Sequence, residues 1–294
     1  MAKPLNRDSA SETATGGSVP AIMVTTRSQK AATGSAKRQV SVVVPTYNET
    51  LNLRPLAERL FAAAAKADLE VDLLFADDES AGSAASAEVV AALAAEGLAA
   101  RIHTRKRGEG RGLSSAVLLG FARAKYETLV CMDADLQHEP EAVPAVAAPV
   151  LAGDADFAVG SRNCGGGDIG FEWSLFRRVL SSGATALAAP LSASTDPMSG
   201  FFCVTKATLA RGAPDPIGFK IGLEIMVKCR CARVADVPIT FREREAGESK
   251  LSAKQNIEYL QQLAGLYAFA YGRALGLVAV AIAVVAAAVA ARLL

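Results

Sequence analysis

Asp133-Ala134-Asp135-Leu136-Gln137 is the segment of this sequence best suited to chemistry. Two carboxylates and an amide oxygen at alternate positions of an extended segment can converge on one hard cation, and all-oxygen ligation selects Mg2+ or Mn2+. Such a cation would bridge a diphosphate. Acidic pairs at strand ends also occur as solvated turns. The placement directly after the apolar run Thr128 to Met132 favours the ligand reading. A second pair, Asp77-Asp78, is followed by Glu79-Ser80. The Asp77 carboxylate could accept hydrogen bonds from a nucleotide base; the alternative is an Asx turn with a helix cap. Pro45, Tyr47 and Glu49 form a third group, in which an aromatic ring can pack on a base and a carboxylate can hold a ribose hydroxyl.

Each group follows a strand-like run. VSVVVP (residues 40–45) is β-branched and closes on a proline, as a buried strand leaving a sheet does. A helix is expected over 53–67, with Leu53, Leu56, Leu60 and Ala64 on one face and Pro55 in the first turn. VDLLFA (71–76), a helix over 84–96, a strand over 100–104 and a helix after Gly112 follow. TLVCM (128–132), a helix over 142–151 and DFAVGS (156–161) continue the alternation. This order is that of an α/β domain with a mainly parallel sheet between helices, whose ligands bind at the carboxyl ends of the strands.

Across 294 residues, 51% hydrophobic and 21% charged content is enough for a full core, and a formal charge of +1 argues against nucleic acid as a partner. Five cysteines without C-x-x-C spacing suggest neither a disulfide framework nor a zinc module. In Gly108-Glu109-Gly110-Arg111-Gly112 the third glycine comes too early for a dinucleotide loop, and a P-loop motif is absent. His103 and His138 are expected as structural or surface residues. Residues 1–37 read as a flexible tail, with a transit peptide as the rival reading. Residues 275–291 carry no charge and lie between Arg273 and Arg292, close to the roughly 17-residue minimum of a spanning helix. A membrane anchor over 274–294 is expected, against the alternative of a buried Ala-rich helix. Ahead of it, residues 253–273 read as an amphipathic interfacial helix, with Ile257, Leu260, Ala264 and Tyr267 on one stripe and Tyr259, Tyr267 and Tyr271 as interfacial aromatics. The catalytic domain is then 38–252.

VSVVVPTYNE, the DDES segment, CMDADLQHEPE, GSR (160–162), DPMSGFF (196–202), GFKIGLEI (218–225) and FREREAGESKLS (241–252) together resemble the landmarks of glycosyltransferase family 2. Within it they resemble the single-chain branch that mannosylates dolichyl phosphate, from about residue 39 onward. The resemblance implies a GT-A nucleotide-diphospho-sugar transferase fold with a C-terminal transmembrane helix, GDP-mannose as donor and dolichyl phosphate as acceptor. Pro45, Tyr47, Glu49 and Asp77 would take the nucleoside; Asp133, Ala134, Asp135 and Gln137 would meet the diphosphate, with Asp133, Asp135 and Gln137 on the metal. Arg162, Arg177 or Arg178, Arg244 and Lys250 match basic positions for the sugar and acceptor phosphates. Asp135, Arg162, Arg244 and Lys250 form the expected catalytic set. Glu79-Ser80-Ala81-Gly82 departs from the family pattern of Asn or Gly before Ser, with Asp-Gly later.

The chemistry implied is physically consistent. A phosphate monoester has a second pKa near ~6, so the acceptor is already an anionic nucleophile at neutral pH. The remaining problem is charge repulsion between donor and acceptor phosphates, which a divalent cation and Arg or Lys side chains would overcome. A single displacement would invert the anomeric centre. The implied location is the endoplasmic reticulum membrane with the catalytic domain facing the cytosol, in contact with the lipid bilayer and without an obligatory protein subunit. Rival readings are glucosyl transfer from UDP-glucose to the same lipid and a non-catalytic, membrane-tethered nucleotide-sugar binder.

Overall fold

The computed structural model describes residues 38–106, 108–110, 112–170, 175–215, 217–243 and 255–272. The chain runs β1 (Arg38–Thr46), α1 (Thr50–Lys66), β2 (Leu69–Asp77), α2 (Ser83–Ala95), β3 (Ala100–Thr104), α3 (Leu113–Arg123) and β4 (Thr128–Cys131). It continues with α4 (Val143–Leu151), β5 (Phe157–Ser161), β6 (Asp168–Ile169), α5 (Leu175–Ala188), β7 (Phe202–Thr205), α6 (Lys206–Leu209), α7 (Ile221–Lys228), β8 (Val234–Pro238) and β9 (Thr240–Phe241). A last described helix, α8, covers 255–272.

Seven strands form one sheet in the order β3-β2-β1-β4-β7-β5-β8, and β6 pairs with β9 in a separate ribbon. β3, β2, β1 and β4 are mutually parallel, as are β5 and β8; β7 lies antiparallel between β4 and β5. The expected mainly parallel sheet is therefore present, with one reversed strand in its middle.

Successive strand residues enter opposite layers. Val40, Val42 and Val44 face a core shared with α1, α2 and α4, while Val43 faces one shared with α3, α7 and α8. β2 and β4 divide in the same way, Leu73 and Phe75 from Leu74, and Val130 from Leu129 and Cys131. Burial on both faces explains the consecutive apolar stretches Val42 to Val44, Leu73 to Ala76 and Leu129 to Cys131, where an alternating pattern would mark a half-exposed strand.

α1 begins at Thr50, so Pro55 sits in the second turn rather than the first. The carbonyl that loses its partner is that of Leu51, a residue 81% exposed, where water can serve it. Leu53, Leu56 and Leu60 are fully buried on the opposite face, each contributing about 1.5–3 kcal/mol, which offsets the lost bond.

α8 packs by a stripe of Tyr259, Gln262, Leu263 and Leu266, all buried. Of the expected stripe, Ile257, Leu260 and Ala264 point outward, with Ile257 and Leu260 more than half exposed, whereas Tyr267 is half-buried against the core. The tyrosines do more than face an interface. Their hydroxyls donate to the end of α5 and the turn after it: Tyr259 to Ala184 O at 2.8 Å, Tyr267 to Leu187 O at 2.9 Å and Tyr271 to Pro190 O at 2.5 Å. Of these, Leu187 O is among the last four carbonyls of α5, which a helix terminus leaves without internal partners. Among the described residues no helix is long and apolar enough to cross a membrane; the expected anchor over 274–294 and the tail over 1–37 lie outside them.

Candidate active site

Parallel register brings the strand ends together. Thr46 at the end of β1 is level with Asp77 at the end of β2, and Met132 N, just past β4, donates to Val43 O. The acidic segment begins at this edge.

Residues 133–137 form a bend rather than the extended segment expected from the alternate spacing. The cause is Leu136, which adopts φ 59° with its side chain fully buried in the core of α1 and α4. A left-handed conformation costs a branched residue roughly 1–2 kcal/mol, and burying leucine returns about 1.5–3 kcal/mol, so burial wins. The turn brings Gln137 N within 3.2 Å of Asp135 Oδ1. Gln137 exchanges two bonds with Arg242: its Nε2 donates to Arg242 O at 3.1 Å, and Arg242 N donates to its carbonyl. Asp135 is buried, while the Asp133 carboxylate is about one-third exposed.

His138 props the bend from below. It is buried between Phe201 and Phe241, each with its ring centroid at 5.3 Å. Burial, helped by the Arg162 and Lys220 charges and opposed by Asp135, pushes its pKa down to about 4. The imidazole is therefore neutral at physiological pH. Asp133 N donates to Nδ1 at 3.4 Å, which places the ring proton on Nε2. The 3.6 Å approach of Nδ1 to Asp133 Oδ2 is accordingly not an ion pair.

A basic and acidic cluster adjoins it. Arg162, immediately after β5, holds Asp196 in a bidentate pair, Nε to Oδ2 at 2.7 Å and Nη2 to Oδ1 at 2.8 Å, and stacks over Phe241 at 5.0 Å. Asp196 is fully buried. Lys220 precedes α7 and donates from Nζ to Met198 O at 2.8 Å. Burial and the Arg162 charge lower its pKa to about 8, against the pull of Asp133 and Asp196. Gly200 closes the wall: a Cβ there would lie 3.0 Å from Asp133 Oδ2.

On the β1 and β2 side, Asp77 is buried and its two oxygens receive Thr46 Oγ1 at 3.4 Å, Ser80 Oγ at 2.8 Å, Ser80 N at 3.2 Å and Ser83 Oγ. A carboxylate has about four lone-pair sites, and these donors use them. The Ser80 bonds are the turn half of the alternative that the sequence offered beside base recognition; the cap half is missing, since among the described residues α2 starts from Gly82 without a side-chain cap bond. Asp78 instead pairs with the buried Arg105 at 2.9 Å and receives Gly112 N. Tyr47 is 47% exposed, Pro45 is half-buried, and Glu49 receives Asn52 Nδ2 at 2.8 Å. Asn48, at φ 57°, receives Gly82 N and so ties the loop after β1 to the turn after β2.

The family model for glycosyl transferase family 2 matches residues 41–208. The dolichol-phosphate mannosyltransferase of Saccharomyces cerevisiae is 46% identical over 243 residues, which cover 80% of this chain and 89% of that one. The chain belongs to glycosyl transferase family 2. A second relative, the dolichol-phosphate mannosyltransferase of Mycosarcoma maydis, is 44% identical over 81% of this chain and 82% of its own. The crystal structure of Mycobacterium tuberculosis glucosyl-3-phosphoglycerate synthase in complex with Mn2+, UDP-glucose and glycerol 3-phosphate superposes with a TM-score of 0.55 at 19% identity, covering 79% of this chain and 80% of that one. The α/β fold is thus GT-A-like.

In this family 2 glycosyltransferase, Asp133 and Arg162 come together near Lys220, Asp135 joins them around His138, Ala134 and Gln137 belong to the same bend, and Pro45, Tyr47, Glu49 and Asp77 gather at the adjoining strand ends. Arg177 and Arg178 occupy the first turn of α5 as backbone positions. Their side chains lie outside the described residues, as do Arg244 and Lys250. Sequence reasoning gave no role to Asp196, Gly200 or Lys220, although DPMSGFF and GFKIGLEI contain them. Residue type does not distinguish a buried Asp or Lys from a solvated one.

Proposed function

We propose that this enzyme transfers mannose from GDP-mannose to dolichyl phosphate, with inversion, giving dolichyl β-D-mannosyl phosphate at the cytosolic face of the endoplasmic reticulum membrane. The observation carrying this reading is the meeting of the 133–137 bend with Arg162, Asp196 and Lys220 at the carboxyl edge of the sheet, in a chain whose relatives are named dolichol-phosphate mannosyltransferases.

The donor set fits a divalent cation. Asp133 and Asp135 supply carboxylates, and the bond from Gln137 Nε2 to Arg242 O fixes which end of that amide is oxygen. Among the described residues no three His, Cys, Asp or Glu side chains converge, so substrate oxygens and water would complete the shell, as Mg2+ and Mn2+ commonly require. When bound, the cation supplies charge neutralisation of the diphosphate.

Everything else falls to this chain's own side chains. Lys220 presents a compact ammonium beside the acids, and Arg162, whose planar guanidinium is oriented by the bidentate pair with Asp196, presents a fixed positive group. Lys220 stabilises the departing nucleotide diphosphate, and Arg162 serves the sugar and acceptor phosphates. Tyr47 and Glu49 hold the nucleoside, with Pro45 beneath; Asp77 acts through the turn that it fixes. Arg177 or Arg178, with Arg244 and Lys250, receives the acceptor phosphate, whose anionic oxygen attacks without a general base. The exposed stripe of Ile257 and Leu260 on α8 and the apolar run 275–291 suit a bilayer carrying the polyprenyl acceptor.

The test uses the purified full chain with labelled GDP-mannose or UDP-glucose, each with and without dolichyl phosphate and divalent metal. Mannosyl lipid formed only with all three components supports the reading; glucosyl lipid from UDP-glucose replaces it with the rival donor. Retained biological function in Asp135→Ala, with no transfer from either donor, would make the chain a binder rather than an enzyme.

A further inference from the structure

α8 reaches the segment that begins α7 through the side chain of Gln262. Gln262 is 2% exposed, on the stripe that otherwise packs Tyr259, Leu263 and Leu266 against the catalytic domain. Its Nε2 donates to Glu224 Oε2 at 2.8 Å and to Lys220 O at 3.3 Å. Glu224 is itself buried on α7, and its other oxygen takes Asp215 N at 2.7 Å and Lys228 Nζ at 2.8 Å. Lys220 turns its ammonium the other way, to Met198 O beside Asp196 and Gly200. The backbone of one residue is therefore gripped by α8 while its side chain reaches the diphosphate wall.

Packing does not explain this amide. Among the described residues the buried Gln262 Oε1 has no hydrogen-bond partner, an arrangement costing roughly 1–3 kcal/mol, and a methionine or leucine would suit the surrounding apolar stripe. A residue that breaks the local rule in this way is expected where function requires it. The two N–H groups of the amide are both used, and both uses fix the segment that begins α7.

We propose that Gln262 is a positioning residue that locks the Lys220 segment, so that the bilayer-facing helix sets where the active-site ammonium stands. This rests on the reading of Lys220 as a ligand of the donor diphosphate. The lock joins the helix whose outer stripe meets lipid to the wall that meets the nucleotide, and the coupling is carried by two hydrogen bonds rather than by the apolar contacts around them.

The test is a double-mutant cycle on the full chain with Gln262→Met, Lys220→Met and the double variant. The readouts are the dissociation constant of GDP-mannose with Mg2+ by calorimetry and kcat/KM for GDP-mannose. Gln262→Met is expected to weaken both by about 10-fold in the wild-type background and by under about 2-fold when Lys220 is already methionine. An equal loss in both backgrounds, or none in the first, overturns the proposal. If Lys220→Met retains wild-type values, the reading of Lys220 fails and takes the proposal with it; if Lys220→Met is impaired and the cycle is additive, the proposal alone fails. Gln262→Asn, which withdraws the amide by one methylene, replaces the methionine variant should that not fold, and failure of both to fold makes Gln262 structural and overturns the idea.

Discussion

Replacing Gly200 with alanine should damage metal use while sparing the fold. The added Cβ would stand 3.0 Å from Asp133 Oδ2, 3.3 Å from Oδ1 and 3.4 Å from Cγ. Ordinary contact at such a carbon begins near 3.4 Å, so the carboxylate must yield by a few tenths of an ångström. Metal–ligand distances tolerate only about ±0.2 Å, so that displacement is enough to degrade the site. Gly200 does not occupy the left-handed region, so alanine adds no backbone strain, and stability should change by under about 1 kcal/mol. Changes next to a ligand commonly cost 10–100-fold in metal affinity, and a rise of roughly that size is expected in half-saturating Mg2+ or Mn2+. The assay is mannosyl transfer titrated with metal, beside thermal unfolding of the metal-free protein. Unchanged half-saturation, or a loss matched by lower stability without metal, would refute the reasoning.

Gly120→Ala should act on folding instead, because its Cβ would meet Val43 Cγ1 at 2.3 Å and drive α3 off β1. A loss of at least about 1–3 kcal/mol is expected in denaturant unfolding. Asp196→Asn breaks the Arg162 pair while keeping its volume; leaving that cation with a neutral partner should cost roughly 3–5 kcal/mol and lower kcat, and adding Arg162→Lys should not rescue it. Burial alone would raise the Asp156 carboxyl, but Arg211 and Arg233 overcome it and hold the pKa below its usual range. A depressed carboxylate contributes stability above its unfolded pKa of about 3.9 and loses it as pH falls below. The stability gap between wild type and Asp156→Asn should thus be full at pH 7 and close on acidification below about pH 4 in urea unfolding.

Apolar runs such as Val42 to Val44 and Leu73 to Phe75 were legible in sequence because burial on both sheet faces leaves no polar alternation within them, and strand and helix periods are local properties. The acids after β1, β2 and β4 were legible because parallel strands share one carboxyl edge. Only the tertiary structure divided Asp77 from Asp78: identical neighbours, one consumed by its own turn and the other by the buried Arg105. Leu136 adopts a conformation that its type disfavours because a core formed by distant residues accepts its side chain. The reversed β7, the Arg162 and Asp196 pair, the Lys220 ammonium and the Gln262 lock join positions 22 to 42 residues apart or more. Spacing along a chain records which residues can share a face of one element; which elements meet, and therefore which charges are buried together, is decided by packing.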